Sequence, residues 1–424
     1  MNTRRWALAG AGAIALGAML AAAVLALNRL DEAPLDSAPP PAAADDAATV
    51  ARGAYLARAG NCAGCHTARG GAEYAGGRGI DTPFGRVYAP NLTPDRETGL
   101  GGWSAEAFWR ALHNGRAKDG RLLYPAFPYP NYTRVTRADA DAIYRYLRSL
   151  APVRQANRPH ALRFPYGTQA ALAVWRALFF RPARFEPEAG RSAAWNRGSY
   201  LVRGLGHCEA CHAERNWFGA TRGGLELGGG LIPMQGWYAP SLAAPGEAGV
   251  QEWTEDEVVA LLGGGVTPRG SVMGPMAEVV FRSTGHLNRA DLQAMALFLK
   301  SLPRAATRGH HAPAADGMTM RRGEVIYRDH CAACHGERGE GAAGLYPPLA
   351  GNRAVVLTPP HNVVRAIVHG GFAPTTKANP RPYGMPPFAQ VLSDADVANV
   401  ATYIRNAWGS AAPEVSRLDV LNTR

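Results

Sequence analysis

The chain has 424 residues, of which 47% are hydrophobic and 19% charged, and a formal net charge of +11 at pH 7. This length accommodates two or three domains. Of the 45 basic residues 42 are arginine, and no basic stripe with interleaved aromatic residues argues for nucleic-acid binding. An arginine-rich surface suits an acidic partner or anionic lipid head groups, although biased genomic composition explains the arginine excess equally well.

The first 30 residues predict a signal anchor or a signal peptide. Arg4 and Arg5 precede an uncharged apolar run of 22 residues, from Trp6 to Leu27. That run is long enough to span a hydrocarbon core of about 30 Å. A cleavable signal has a shorter apolar core, of about 7–15 residues, and the small residues at 42–44 lie well past the run, which favours an uncleaved anchor. The positive-inside rule then places the body of the chain outside the cytoplasm, with residues 31–48 as a flexible tether.

Every cysteine lies in one of three CxxCH motifs. In c-type attachment, two thiols one helical turn apart form thioethers with the haem vinyl groups, and the adjacent imidazole becomes the proximal iron ligand. A disulfide framework does not explain a histidine after every pair, and a zinc site requires two thiolate pairs or a matched histidine pair. The sequence therefore predicts three covalently bound haems c. Their attachment sites are Cys62, Cys65, Cys208, Cys211, Cys331 and Cys334, and their proximal ligands are His66, His212 and His335.

The body of the chain repeats one pattern three times. Each copy has a leading helix before the motif, a proline-bearing loop expected to pack on the haem, a middle helix ending at glycine, and an amphipathic last helix. The leading helices contain Arg52, Arg197 and Arg322, and the loops cover 88–92, 238–242 and 345–349. The middle helices are predicted over 104–113, 254–262 and 362–369, and the last helices over 139–150, 291–302 and 394–408. The second middle helix opens with a capping box, Thr254 and Glu257.

Little period-two alternation is present, so the predicted fold is all-α, with three tandem class I cytochrome c domains after the N-terminal helix. The first cysteines of successive motifs are 146 and 123 residues apart, room for one small domain each, with the haem serving as part of the core. The predicted domains cover 49–160, 191–305 and 318–410. The predicted linkers cover 161–190 and 306–317, and a polar tail covers 411–424.

Methionines after proline-rich or glycine-rich loops are the candidate distal iron ligands of the second and third haems. Met385 lies 50 residues after His335, and Met276 lies 64 residues after His212. Met273 competes with Met276, while Met295 falls on the apolar face of the last helix and is expected in the core. Thioether ligation raises the potential of a haem that passes electrons onward.

The first domain departs from this pattern. Phe127 stands before a proline where the third domain has Met385, and residues 51–160 contain no methionine. His113, at the end of the middle helix, and His160, after the last helix, are the other histidines of this stretch. Either is a candidate sixth ligand, and another donor, water or an open iron are the alternatives.

Three segments resemble the triheme cytochrome c subunits of bacterial membrane-bound dehydrogenase complexes: residues 83–99, the junction 179–182 with 195–201, and residues 403–408. The resemblance covers roughly residues 50–410. It implies a partner that is a flavin-dependent gluconate or sorbitol dehydrogenase, a quinoprotein alcohol dehydrogenase, or a molybdenum-containing aldehyde or N-heterocycle dehydrogenase. It also implies ubiquinone as acceptor, at the periplasmic face of the inner membrane. Many members carry methionine where Phe127 stands, and the phenylalanine form is more similar to the cytochromes paired with molybdenum hydroxylases. Relatives also often have an apolar C-terminal anchor, which the polar tail here lacks.

We therefore expect an electron-transfer subunit rather than the substrate-oxidising chain. No nucleotide-binding GxGxxG unit and no propeller repeat is evident in the sequence, so substrate oxidation is expected on another chain, and no catalytic residue is assigned. Two other functions remain open: a haem peroxidase that uses an open first haem, and a stand-alone relay from quinol to an oxidase.

Overall fold

A computed structural model describes residues 3–28, 46–221, 227–306 and 315–423. Two compact units are present, one comprising Met1–Ala54 and His66–Phe185 and the other Tyr55–Cys65 and Glu186–Arg424. Most of the predicted tether at 31–48 and of the predicted linker at 306–317 lies outside the described residues. The division into three domains at the boundaries given above remains a prediction.

Helices are the principal secondary structure of the described residues. Up to residue 185 the α-helices are α1 Thr3–Asn28, α2 Ala47–Ala59, α3 Cys62–His66, α4 Ala105–Asn114, α5 Tyr129–Tyr132, α6 Arg137–Ser149 and α7 Gln169–Phe179. The remaining α-helices are α8 Ala193–Ser199, α9 Glu255–Gly264, α10 Pro275–Arg282, α11 Arg289–Lys300, α12 Gly317–His330, α13 Ala332–His335, α14 His361–His369, α15 Asp394–Asn406 and α16 Arg417–Leu421. A π-helix, Tyr200–Leu205, continues α8, and short 3-10 turns cover Leu100–Gly102, Cys208–Ala210 and Thr284–His286.

Short antiparallel strands accompany the helices, so the all-α prediction holds only in its helical part. The strands are β1 Gly79–Thr82, β2 Gly85–Tyr88, β3 Ala161–Leu162, β4 Gly230–Ile232, β5 Trp237–Ala239, β6 Val266–Thr267, β7 Gly270–Ser271, β8 Gly371–Phe372 and β9 Gly384–Met385. β2 pairs with both β1 and β3, and the others form the hairpins β4–β5, β6–β7 and β8–β9. Two to four residues per strand are too few to produce a visible period-two pattern.

Side-chain caps explain where the predicted helices begin. Ser104 accepts a hydrogen bond from the backbone of the first turn of α4, and Thr254 forms the predicted capping box with Glu257 at the start of α9. α4 and α9 both end at a glycine in the left-handed region, Gly115 and Gly265, as their sequences predict. α6 and α11 begin two residues before their predicted starts, because Thr136 and Asn288 act as the caps.

One helix crossing recurs in all three copies of the repeat. The glycine after the repeated arginine of the leading helix abuts the backbone of the last helix. A Cβ there would lie 1.9 Å from Ala142 O at Gly53, 1.9 Å from Ala294 O at Gly198, and 2.3 Å from Asn399 O at Gly323. Only glycine permits this approach, so the repeated glycine identifies the leading and last helices as a packed pair.

The arginine of the same dipeptide reinforces two of these crossings. Arg52 binds Asp139 near the start of α6, with 2.5 Å between Nη2 and Oδ1, and Arg197 binds Asp291 near the start of α11 through two hydrogen bonds of 2.8 Å. Each aspartate is largely buried and lies in the first turn of the last helix, where a negative charge is favoured by the helix dipole.

Two segments differ from their predictions. The predicted linker 161–190 contains α7, whose apolar residues Leu172 and Ala177 are buried. The predicted polar tail folds back onto the third repeat: Val415 and Val420 join its hydrophobic cluster, and Ser416 caps α16. The tail is polar on average, but its few apolar residues are placed to be buried, which average composition does not reveal.

Candidate haem centre

Each motif histidine is oriented by a proline carbonyl. The Nδ1–O distances are 2.8 Å from His66 to Pro90, 2.7 Å from His212 to Pro240 and 3.1 Å from His335 to Pro347. A carbonyl oxygen only accepts hydrogen bonds, so each imidazole donates from Nδ1–H and keeps the Nε2 lone pair for iron. All three prolines lie in the loops that were expected to pack on the haems.

Burial keeps these imidazoles neutral. It lowers the pKa of His66, His212 and His335 below the ordinary value, with the proline hydrogen bond opposing the shift. A neutral imidazole at pH 7 is the form that ligates a metal.

The cysteines are arranged for thioether attachment. They lie in the short turn before each histidine: in α3 for the first motif, in the 3-10 turn for the second, and at the start of α13 for the third. Burial raises the pKa of Cys62 and Cys208 to about 12 and that of Cys331 to about 11, so these thiols are protonated. Within the ranges given above, no group of three or more His, Cys, Asp or Glu side chains is placed to hold a metal ion, as a zinc site requires.

The second and third motifs share one cavity of about 1140 Å³. His212 and His335 line it together with Met276 and Met385, and much of the rest of the wall is aliphatic or aromatic. Imidazole and thioether donors in a large apolar space fit a haem c at each of these motifs, since the macrocycle is apolar and its iron takes both donor types. Bound there, haem c supplies one-electron redox chemistry.

Met273 and Met295 line the same cavity but have other packing partners. The Met273 methyl group packs close to Gly371, since a Cβ added to Gly371 would lie 3.1 Å from that methyl group. Gly371 is the β8 residue that pairs with Met385 of β9. Met295 lies on α11 with only 2% of its surface exposed, in the core position predicted for it. Met276 occupies the second position of α10, directly after Gly274 and Pro275. The assignment of Met276 and Met385 as distal ligands remains a prediction.

Hydrogen bonds and a cation–π contact join the second and third repeats around this cavity. The Asn362 side chain accepts from Tyr238 N–H at 2.9 Å and donates to Tyr238 O at 2.8 Å. Arg353 donates to Gly249 O at 2.7 Å and also to Pro245 O, and its guanidinium lies over the Trp253 ring, 5.1 Å from the centroid. The sequence pattern predicts none of these contacts, because the groups that meet are 100 residues or more apart in the chain.

The candidates near the first motif have different surroundings. His113 is buried on α4 and stacks on Trp109 with centroids 4.3 Å apart. His160 is exposed, accepts a hydrogen bond at Nδ1 from Tyr88 N–H at 3.2 Å, and lines a separate cavity of about 350 Å³ with Arg121 and Tyr124. Phe127, at the position of the expected methionine, packs against the Tyr129 and Tyr132 rings.

Comparison with known proteins identifies the kind of chain to which these sites belong. The cytochrome c family model matches residues 50–151 and 320–408. One of the subunits of the nicotinate dehydrogenase of Pseudomonas putida is 42% identical over 414 residues, which cover 96% of this chain and 34% of that protein. The cytochrome c subunit of the quinone-dependent alcohol dehydrogenase of Gluconobacter oxydans is 37% identical, covering 89% of this chain and 83% of that protein. The gluconate 2-dehydrogenase cytochrome c subunit of Pantoea cypripedii is 37% identical, covering 90% of this chain and 92% of that protein.

The coverage of these relatives differs. The chain spans about a third of the length of the nicotinate dehydrogenase relative, whereas it spans most of the length of the alcohol and gluconate dehydrogenase relatives. The resemblance seen in the sequence is thereby confirmed, and with it a haem c protein that transfers electrons. The chain belongs to the family of cytochrome c subunits of dehydrogenase complexes.

Proposed function

We propose that the protein carries three haems c and relays electrons from a partner dehydrogenase to ubiquinone or another respiratory acceptor, on the periplasmic side of the bacterial inner membrane. The proposed number of haems rests on a feature that all three repeats share: a CxxCH histidine that donates a hydrogen bond from Nδ1–H to a proline carbonyl. The family model matches only the first and third repeats. The second has the same histidine geometry, the same glycine crossing and two cysteines.

Contacts within the unit comprising Tyr55–Cys65 and Glu186–Arg424 link the attachment segments of the three motifs. His207, next to Cys208, lies with Nε2 3.3 Å from Gly60 O, two residues before Cys62. Ser283 donates to Ala59 O at 3.0 Å, and Asn61 lines the cavity that holds the second and third motifs. The first attachment segment thus contacts the second, and the second shares its cavity with the third.

The substrate of the complex belongs to the partner chain. The relatives are named for dehydrogenases of alcohols, gluconate, fructose and nicotinate, so members of one family serve several substrates. Identity is 42% to the nicotinate dehydrogenase relative, against 37% to the alcohol and gluconate dehydrogenase relatives. Phe127 favours the same class of partner, because its phenylalanine resembles the form paired with molybdenum hydroxylases. We favour an N-heterocycle or aldehyde dehydrogenase as the partner.

Purification of the complex from native membranes tests this proposal. We expect a co-purifying dehydrogenase whose substrate reduces the haems, and a cytochrome chain that keeps three haems by mass spectrometry under denaturing conditions. The matched control is Cys208→Ala with Cys211→Ala, which should retain two. A wild-type chain with two haems or a free thiol would refute the proposed haem count. A cytochrome that purifies without any dehydrogenase would refute the proposed partner.

A further inference from the structure

α7 exposes an apolar face, which is unusual for a helix in water. Ala170, Val174 and Leu178, spaced four residues apart, form its outward row, and Val174 and Leu178 are 46% and 62% exposed. Its one charged side chain, Arg176, is turned inward, 2% exposed, and donates to the carbonyls of Asn114 and Gly115 at the end of α4. A surface helix normally places charges outward and apolar residues inward.

The turn before α7 extends this apolar surface. Phe164 is 88% exposed and Tyr166 is 41% exposed, with the Tyr166 ring 4.6 Å from that of Phe84. We name the set Phe164, Tyr166, Ala170, Val174 and Leu178 the α7 surface. Several exposed apolar side chains on one helix and the turn before it mark a candidate site of interaction.

The end of α1 lies next to α7. α1 packs against α7, and Asn28, its last residue, donates from Nδ2 to Ala173 O at 2.9 Å. Arg116 donates to Asn28 O at 3.1 Å. If α1 crosses the bilayer, these bonds hold α7 at the point where the chain leaves the membrane.

The charge of this region also suits a lipid surface. Residues 142–185 contain eight arginines and neither aspartate nor glutamate. Arg163 lies beside Phe164, and Arg181 caps the end of α7 by donating to Ala177 O and Phe180 O. Arginines flanking an apolar face pair with the phosphates of anionic lipids.

We propose that the α7 surface lies in the interfacial region of the membrane, with its apolar side chains at the boundary between head groups and acyl chains and its flanking arginines on anionic phosphates. This proposal rests on the membrane location of α1 proposed above. Its consequence is that the unit comprising Met1–Ala54 and His66–Phe185 is held against the bilayer at two points, α1 and α7, rather than tethered by one helix.

Spin labels test the proposal in the full-length haem-loaded protein. Val174→Cys and Leu178→Cys variants are labelled with a nitroxide and reconstituted in vesicles of phosphatidylethanolamine and phosphatidylglycerol. Val325→Cys on α12 and Leu418→Cys on α16 are matched controls, since these residues are 46% and 63% exposed on helices outside the α7 surface. We expect the ratio of oxygen to nickel-chelate accessibility to be severalfold higher at 174 and 178 than at 325 and 418.

The outcomes separate this proposal from the broader function. One contrary outcome is that the protein floats with the vesicles while the labels at 178 and 418 are equally accessible to the nickel chelate. That result would overturn the α7 proposal but not the prediction that α1 is a membrane anchor. Labels protected only after the partner dehydrogenase is added would overturn it in favour of a protein interface. Protein that fails to float would overturn both the α7 proposal and the anchor, while haem count and reduction by substrate would be unaffected.

Discussion

Phe127 is the residue that most clearly sets the first repeat apart from the others. It packs on aromatic rings where a thioether was expected, and residues 51–160 offer no methionine as a sixth ligand for the first iron. The surroundings of the two histidine candidates differ, and on that basis we favour one of them. His160 accepts at Nδ1, which places the proton of the neutral ring on Nε2 and leaves no free lone pair, whereas His113 is buried on the middle helix of the repeat. His113 is therefore the better candidate.

The two candidates predict different spectra on substitution. We expect His113→Ala to convert the first haem to a high-spin form that binds carbon monoxide when reduced, and His160→Ala to leave it unchanged, because only an iron ligand affects spin state. Electron paramagnetic resonance and carbon monoxide difference spectra measure this. Carbon monoxide binding by the wild-type protein would instead indicate an open iron, and peroxide turnover would then need to be measured.

The methionines of the shared cavity lead to a second prediction at this scale. We expect a methionine–iron charge-transfer absorption from two haems in the oxidised wild-type protein. Met276→Ala and Met385→Ala should each remove the absorption of one haem and lower the reduction potential of that haem. Met273→Ala is the matched control in the same cavity and should leave the signal intact. A methionine signal from three haems would mean that a donor outside residues 51–160 reaches the first iron.

At the scale of elements, the glycine crossing between leading and last helices accounts for the threefold repeat. We expect Gly198→Ala to lower the free energy of unfolding by about 1–3 kcal/mol or more, because its Cβ would lie 1.9 Å from Ala294 O and one of the two helices would have to shift. Thermal unfolding of the holoprotein measures the change. Gly317→Ala is the control, since a Cβ there meets only the flexible end of Arg321 and should be tolerated.

The cap of α9 predicts a pH dependence. Hydrogen bonds from Arg269 and from Thr254 N–H hold the pKa of Glu257 below its ordinary value. A depressed carboxyl pKa contributes stability that is present above the unfolded-state pKa, about 4.3, and is lost as pH falls through the folded-state value. We expect the difference in melting temperature between wild type and Glu257→Gln to be constant near neutral pH and to shrink below about pH 4. A gap between wild type and Glu257→Gln that widens in acid would contradict the assignment.

At the scale of the whole molecule, α1 is the predicted membrane anchor. Its apolar stretch, Trp6–Asn28, has the length and composition of a membrane span, and a signal sequence meets the same criteria. We expect the native protein to begin at or near Met1 and to resist extraction by high salt, because an inserted helix is not released by charge screening. N-terminal sequencing and salt washing measure this. A mature N-terminus beyond Ala23 would contradict the anchor, and release by salt would assign retention to arginine-rich surfaces.

The sequence by itself determined the chemistry and the repeat. The three CxxCH motifs predicted haem c as the cofactor. Helix caps and apolar periodicity located the middle and last helices to within a few residues, because these signals act between residues close in the chain. Only the tertiary structure decided which groups meet across long separations. The proline carbonyls on the histidines, the cavity shared by Met276 and Met385, the burial of Val415 and Val420, and the exposed apolar face of α7 beside Asn28 all depend on packing. Contacts between backbone atoms or between single side chains on distant segments leave no periodic pattern in the chain, so no local signal predicts them.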